Sequence, residues 1–457
     1  MTIEASVDAR PPAAPVNALL TAPILPTLLK LALPNSIAMF ATALVAVAET
    51  SYIGRLGVEP LAGIALVFPF VMLTQMMSAG AMGGGVSSAV SRALGAGNRE
   101  RAATLALHAA IIGTLAGLFF TVMMLVFGRA FYALLGGSGA VLEQAMHYSQ
   151  VLFSGAVSIW LVNTLASVVR GTGDMRAPSA VLIAVAIIQV VVGGTFGLGL
   201  FGVPSFGMRG VAAGQLIAFT LGAIFLIWYL ASGRSRLKLN LRNFAFQRDM
   251  FLDILKVGAI SCLSPLQTVL TILIFTKILA GFGTVTLAGY GMGSRLEFLL
   301  VPISFAFGVA SVPMVGMAMG ADLVSRARKV AWTAGAAAGL SLGLLGVIVA
   351  IKPSLWVSLF TSDPGVTQAA YSYFAWAGPA FGFFGMGTCL YFSSQGAAKM
   401  LGPVLSGTLR LLLVAVGGWW LASSGAEAWT LFALVGGAMV VFGLTTALSV
   451  RLTRWGK

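Results

Sequence analysis

LAGIALVFPFVMLTQMMSAGAMGGGVSSAV, residues 61–90, contains no charged side chain at any position. A helix needs about 20 apolar residues to cross a bilayer core, whereas a membrane-barrel strand uses about 9–11. The run is too long for such a strand and lacks its alternation of apolar and polar positions, so it reads as a membrane-spanning helix. A helix also satisfies its own backbone N–H and C=O groups, which hydrocarbon cannot do for it. Within the run, GAMGGGVSSAV at 80–90 is rich in glycine but lacks the GK[ST] ending of a phosphate-binding loop. Its small residues favour close helix packing instead.

The rest of the chain has the same character. Its 457 residues are 58% hydrophobic and 9% charged, with a mean hydropathy of +0.97. Soluble domains carry about 25% charged residues, so a soluble globular protein is excluded, as are disorder, a disulfide scaffold and a secreted enzyme. Apolar runs predict spans near 28–53, 61–89, 103–127, 144–168, 178–200, 210–231, 251–280, 286–315, 329–351, 367–392, 403–422 and 428–450. Residues 1–24 mix Glu4, Asp8 and Arg10 with prolines and read as a disordered cytoplasmic tail rather than a signal peptide. The net charge of +14 would suggest nucleic acid only if the basic residues shared a soluble face. They lie in short gaps between spans, so no nucleic-acid partner is expected. Cys262 and Cys389 fall inside apolar runs and read as packing residues.

Twelve spans place both termini on one side. Twenty-one Lys and Arg residues fall on that side, with Arg234, Arg236, Lys238, Arg242, Arg248 and Lys256 in one run and Arg410 counted among the rest. Five fall opposite (Arg55, Arg129, Arg209, Lys277 and Lys352), and Arg295 lies within a span. The excess predicts a multi-pass protein of the cell inner membrane with both termini in the cytoplasm.

The chain also repeats itself at an offset of about 225 residues. LAG at 61–63 meets LAG at 287–289, and Arg101-Ala102 meets Arg326-Ala327. RGTGDMRAP at 170–178 lies over QGAAKMLGP at 395–403, with Gly, Met and Pro in register. The predicted fold is therefore an all-α polytopic membrane protein, its twelve transmembrane helices in two six-helix lobes. These are residues 25–231 and 251–457, joined by a basic cytoplasmic linker at 232–250. Six is even, so both lobes enter from the same side and the repeat is parallel, with a pseudo-twofold axis along the membrane normal.

Pro34-Asn35, ETSYIGRLGVEPLAG at 49–63, SRALGAGNRERA at 91–102, RGTGDMRAP at 170–178 and LAGYGMGSRLEFLLVPISFAFG at 287–308 resemble the multidrug and toxic compound extrusion (MATE) family. Their order and spacing carry the resemblance, from about residue 25 to 450. It implies a two-lobed exporter that exchanges an organic substrate for H⁺ or Na⁺, with a bending helix at Pro34.

Only 13 acidic residues occur, and the span assignments leave Glu49 and Glu297 well inside the membrane. An ionisable residue there is a functional candidate by default, and a carboxyl in low dielectric is suited to loading and releasing a proton. Glu49 either couples the ion or snorkels to the interface beside Arg55. Glu297 either binds a proton or cation in a cavity between the lobes or forms a structural ion pair. Arg295, two residues away, cannot face it on the same helix. The resemblance implies ion coupling at Glu49, where one MATE subfamily has Asp. That subfamily's Asn and Asp in the fifth helix fall here on Gln189 and Gly193, so its second acid is missing. A second subfamily's acids in the seventh and tenth helices have no counterpart within 257–280 or 367–392.

Asn35, Asn163, Gln189 and Arg295 are the candidates for a polar network lining the substrate cavity, with Asn163 and Gln189 expected near Glu49. Gln75, Gln215 and Gln267 are further polar residues within spans, where such side chains often hydrogen-bond between helices. His108 and His147 have no companions at metal-ligand spacing, and no nucleophile–base constellation is present, so neither a metal site nor an enzyme is expected. The sequence thus predicts a monomeric, ion-gradient-driven antiporter in the lipid bilayer. It would export small organic compounds, cationic or amphipathic, with H⁺ or Na⁺ as coupling ion and no cofactor. H⁺ is preferred because oxygen ligands for sodium are scarce. A flippase of a lipid-linked precursor shares this architecture but should carry a wide basic cavity; a non-transporting scaffold would need neither the repeat nor the buried acids.

Overall fold

The computed structural model describes residues 18–237 and 245–456. Twelve helical rods follow one another: α1 (Ile24–Leu56), α2 (Val58–Gly95), α3 (Arg99–Leu134), α4 (Gly139–Ser154 with Ala156–Gly171), α5 (Arg176–Leu198) and α6 (Gly207–Ala231) form the first lobe. The second comprises α7 (Arg248–Ala280), α8 (Thr284–Gly320), α9 (Val324–Ile351), α10 (Pro364–Ala377 with Phe381–Gly396), α11 (Leu401–Ser423) and α12 (Ala428–Leu452). Among the described residues, ten rods are long and apolar enough to span a membrane as single helices. The other two are broken. α4 bends by 51° at Gly155, where α6 comes so close that an added Cβ would lie 1.9 Å from Leu216 Cδ1. α10 is interrupted by the 3₁₀ turn Gly378–Ala380, whose Pro379 removes a backbone donor.

The repeat is visible in the packing. α1 lies on α5 as α7 lies on α11, α3 on α4 as α9 on α10, and α5 on α6 as α11 on α12. It also reaches the backbone. The turn after α2 passes through the left-handed region at Gly97 (φ 75°), and the turn after α8 does so at Asp322 (φ 57°). Both close with the same backbone bond, Asn98 N to Ala93 O at 2.9 Å in one and Leu323 N to Ala318 O at 2.8 Å in the other. Likewise Gly173 (φ 83°) and Ala398 (φ 56°) turn the chain into α5 and α11. Each pair is separated by 225 positions.

These four turns lie at the end of the bundle that carries the first and last described residues, and there the lobes are sealed together. α2 crosses α8 with backbones in contact. A Cβ on Gly95 would sit 2.1 Å from the Met317 carbonyl oxygen, one on Gly320 2.0 Å from that of Arg92, and one on Gly316 1.9 Å from Ser91 Oγ. Ser88 Oγ donates to the Gln395 carbonyl at 2.5 Å. Arg92 Nη1 donates to Ser88 Oγ at 2.6 Å, and its Nη2 pairs with Asp253 of α7 at 2.6 Å. The base of α1 joins the seal, since Leu28, Leu31 and Ala32 are buried in one cluster with Ala310 and Met314 of α8.

The expected tail at 1–24 lies outside the described residues up to 17. Beyond that point the chain is anchored: Ala18–Thr21 forms a turn of helix, Leu19 is buried, and Arg326 donates to the carbonyls of Leu19 and Ala22. The linker expected at 232–250 is described only at its ends. Arg236 Nη1 donates to the Thr172 carbonyl at 2.9 Å, and Arg248–Met250 already belong to α7.

Candidate transport site

Two constellations carry chemistry inside the bundle, one per lobe. In the first lobe Glu49 projects from α1 toward α5, where Gln189 Nε2 donates to its Oε1 at 2.8 Å. Tyr52, one turn along α1, shares that face. Its ring lies over Gly194, and its hydroxyl would be 3.2 Å from a Cβ placed on Gly193. That hydroxyl is buried and makes no hydrogen bond among the described residues. Gly193, where the resemblance leads one to look for a second acid, is therefore the gap that admits the phenol of Tyr52. Tyr148 Oη continues the polar core of this lobe by donating to Gln215 Oε1 at 3.0 Å.

The other residues grouped with Glu49 lie elsewhere. Asn163 is buried but donates to Gln75 Oε1 at 3.0 Å and to Ser78 Oγ at 2.8 Å, tying α4 to α2 rather than approaching Glu49. Asn35 is also buried, and its amide turns back along its own helix to Met39 Sδ at 3.8 Å. α1 runs as one helix through Pro34, so the hinge is present as a proline without a break.

A cavity opens between α7, α8, α10, α11 and α12 of the second lobe and is closed on one side by Met76, Gly80 and Ala81 of α2 from the first. It is lined chiefly by apolar and aromatic side chains, and Arg410 of α11 is the one charged residue among them. The Arg410 guanidinium is held against two ring faces, 5.2 Å from the centroid of Phe384 and 5.5 Å from that of Phe442. Arg410 lies in the middle of the span Leu401–Ser423, so it does not belong with the basic residues of the terminal side. Gln267 lies beside it in the lining. Its Nε2 donates to Thr408 Oγ1 at 2.8 Å, while its buried Oε1 has no partner among the described residues. Two π-helical segments adjoin the cavity, Met76–Met82 in α2 and Leu413–Gly417 in α11, and such insertions recur where a helix serves a site.

Glu297 is behind this cavity rather than in its lining. The Tyr373 hydroxyl donates to its Oε1, and it senses the charge of Arg410 without forming a contact ion pair. Arg295 corrects the sequence expectation. It is exposed and stacks on Phe360 in the loop after α9, 5.5 Å from the ring centroid, so it does not line the cavity. Tyr52 and Arg410 are the residues that sequence reasoning passed over. Tyr52 could have been found from its i+3 spacing to Glu49, and Arg410 from its depth within the predicted span 403–422.

The family model described as MatE matches residues 34–195 and again residues 261–420. The chain belongs to the MatE family. The two matches, one per lobe, coincide with the repeat. Among curated relatives, an FAD transporter of Shewanella oneidensis is 28% identical over 77% of this chain and 78% of its own length. A probable multidrug resistance protein NorM of Thermotoga maritima is 25% identical over 75% of this chain and 73% of its own. The structure of a MOP superfamily transporter from Pyrococcus furiosus superposes with a TM-score of 0.88 at 22% identity, covering 95% of this chain and 97% of that one. This MATE protein is thus a multi-pass membrane transporter of the compound-efflux type, acting on small organic substrates, and its relatives are transporters rather than enzymes.

Proposed function

We propose that this MATE protein is an antiporter that exports amphipathic organic compounds and is driven by protons that enter through Glu49. The observation behind this reading is the company Glu49 keeps. Its hydrogen-bond partner is the neutral amide of Gln189, and no Lys or Arg among the described residues pairs with it. A carboxylate within a membrane needs a compensating positive charge, and here a coupling ion supplies it. Glu297, by contrast, already has the field of Arg410 and the hydroxyl of Tyr373. Sodium is the poorer candidate, because hard cations gather oxygen ligands and Gln189 presents its nitrogen.

The basic excess on the terminal side supports cytoplasmic termini. On that reading the sealed end faces inward. The names of the relatives point to an anionic dinucleotide in one case and to mixed drugs in the other, so amphipathic character is what they share. A flippase is less well supported, since the cavity has a single base rather than a wide basic lining.

The test uses proteoliposomes loaded with ethidium or carboxyfluorescein, with a pH gradient and a sodium gradient applied separately. Export of either dye should follow the pH gradient alone and disappear in Glu49→Gln. The reading fails if Glu49→Gln retains proton-driven export, or if only sodium drives it.

A further inference from the structure

The cavity in the second lobe has the opposite polarity from the one an exporter of organic cations would need. No Asp or Glu lines it, and its one charge is the guanidinium of Arg410. That guanidinium makes no hydrogen bond and no contact ion pair among the described residues. Its fixed neighbours are the rings of Phe384 and Phe442, which hold it by their faces. A guanidinium offers five N–H donors in a planar fork that matches carboxylate and phosphate oxygens. Leaving such a fork without an acceptor inside a membrane is costly unless something else fills it. Glu297 lends its field from behind the lining but makes no contact with the fork, and one of its oxygens is bound by Tyr373, so the N–H donors have no acceptor among the described residues.

The remaining walls suit a ring-bearing body. Phe305 and Phe392 meet edge to face at 4.9 Å between centroids. Both sit next to Gly80, whose missing side chain leaves the wall open there.

We propose that this cavity is an anion-recognising site that binds a carboxylate or phosphate group through Arg410 while aromatic walls receive the apolar body that carries it. The proposal takes the cavity to be the substrate site of the exporter described above, and it reverses the cationic preference expected from the sequence. The anion belongs to a soluble compound or to a lipid headgroup, since both present the same oxygens.

The test is equilibrium binding to the full-length protein in phosphatidylcholine nanodiscs, read by flavin fluorescence anisotropy. The probes are flavin mononucleotide and riboflavin, which share a ring system and differ by one phosphate. Flavin mononucleotide should bind more tightly than riboflavin, and Arg410→Gln should weaken it about 10- to 100-fold, the loss expected for a forked charge-assisted contact, while riboflavin changes little. Arg410→Lys keeps the charge without the fork and should fall between the two. It also carries the test if Arg410→Gln does not fold. Repeating the titration with phosphatidylglycerol in the nanodisc separates the sources: unchanged affinity assigns the site to a soluble anion, and displacement assigns it to a lipid headgroup. Equal binding of the two flavins to the wild type, equal weakening of both by Arg410→Gln, or unaltered flavin mononucleotide binding in both Arg410 variants would overturn the proposal. No gradient is involved, so a wild-type protein that binds flavin mononucleotide but shows no proton-driven export refutes the antiporter and leaves the site standing.

Discussion

Removing the charge of Asp253 should loosen the sealed end of the transporter. Asp253 on α7 takes Arg92 of α2 at 2.6 Å and Arg101 of α3 at 3.4 Å, so one carboxylate joins two helices of the opposite lobe. The Arg92 and Asp253 side chains are 18% and 30% exposed, whereas the Arg129–Glu143 pair near the other end has 60% and 51% exposed and joins helices of one lobe. Exposed pairs contribute about 0–1 kcal/mol and hydrogen bonds to charged groups about 1.5–3. A partly buried, hydrogen-bonded bridge falls between them, and we take about 1–2 kcal/mol for Asp253. Since about 1.4 kcal/mol is a factor of ten in population, Asp253→Asn would raise an inward-open population of about 1% to about 5–20%. Spin labels at Arg99→Cys and Lys399→Cys, in a background with Cys262 and Cys389 replaced by Ser, place probes on exposed turns of the two lobes at this end. Double electron–electron resonance in nanodiscs should show a new, longer distance in Asp253→Asn and none in Glu143→Gln. An unchanged distribution in Asp253→Asn, or the same change in Glu143→Gln, would refute the assignment of the bridge as a latch.

Two further outcomes follow from the same geometry. Gly316→Ala places a methyl 1.9 Å from Ser91 Oγ at the crossing of α2 and α8, so the same spin-label pair should show the sealed state depleted by more than in Asp253→Asn, and restored in part by Ser91→Gly. Gln189→Leu leaves Glu49 without its hydrogen bond at nearly constant volume. Proton-driven export should fall at least about fivefold, the equivalent of one lost bond of about 1 kcal/mol, while flavin mononucleotide binding in the other lobe stays as it was.

The number of spans and the doubling of the chain were legible because both are long-range patterns: uncharged runs of spanning length, and landmarks recurring near one offset. The breaks in α4 and α10 were less so. Gly155 bends its helix through the approach of Leu216, a tertiary contact, although Pro379 was visible in the run. Which lone charge enters a cavity was not legible at all. Arg295 and Arg410 each interrupt an apolar stretch, and helices that meet lipid on one side and protein on the other lack the polar stripe that would orient them. Arg295 proved to be exposed and stacked on Phe360, and Arg410 to sit in the cavity lining against Phe384 and Phe442. Asn163 and Gln189 are both in the first lobe, but the sequence does not say that α4 turns its amide toward Gln75 and α5 toward Glu49.

The backbone is duplicated and its chemistry is not. Across the 225-residue offset that relates the turns before α5 and α11, Gln189 falls on Val414 and Arg410 falls on Val185. At the 226-residue offset of the two LAG segments, Glu297 falls on Val71. Each of these three residues thus meets an apolar residue at the matching place in the other lobe. Two equivalent half-sites would let ion and substrate compete by direct displacement. Here the first lobe has an acid without a counter-cation, and the one charged residue of the cavity, Arg410, comes from the second lobe, with Glu49 outside the lining. Occupancy of one can then be felt by the other only through the position of the lobes, because a ligand shifts an equilibrium by its difference in affinity for the two states. The contacts that distinguish those states are the α2–α8 crossing and the Arg92–Asp253 bridge. Exchange in this protein should therefore be sensitive to residues at the sealed end that touch neither proton nor substrate.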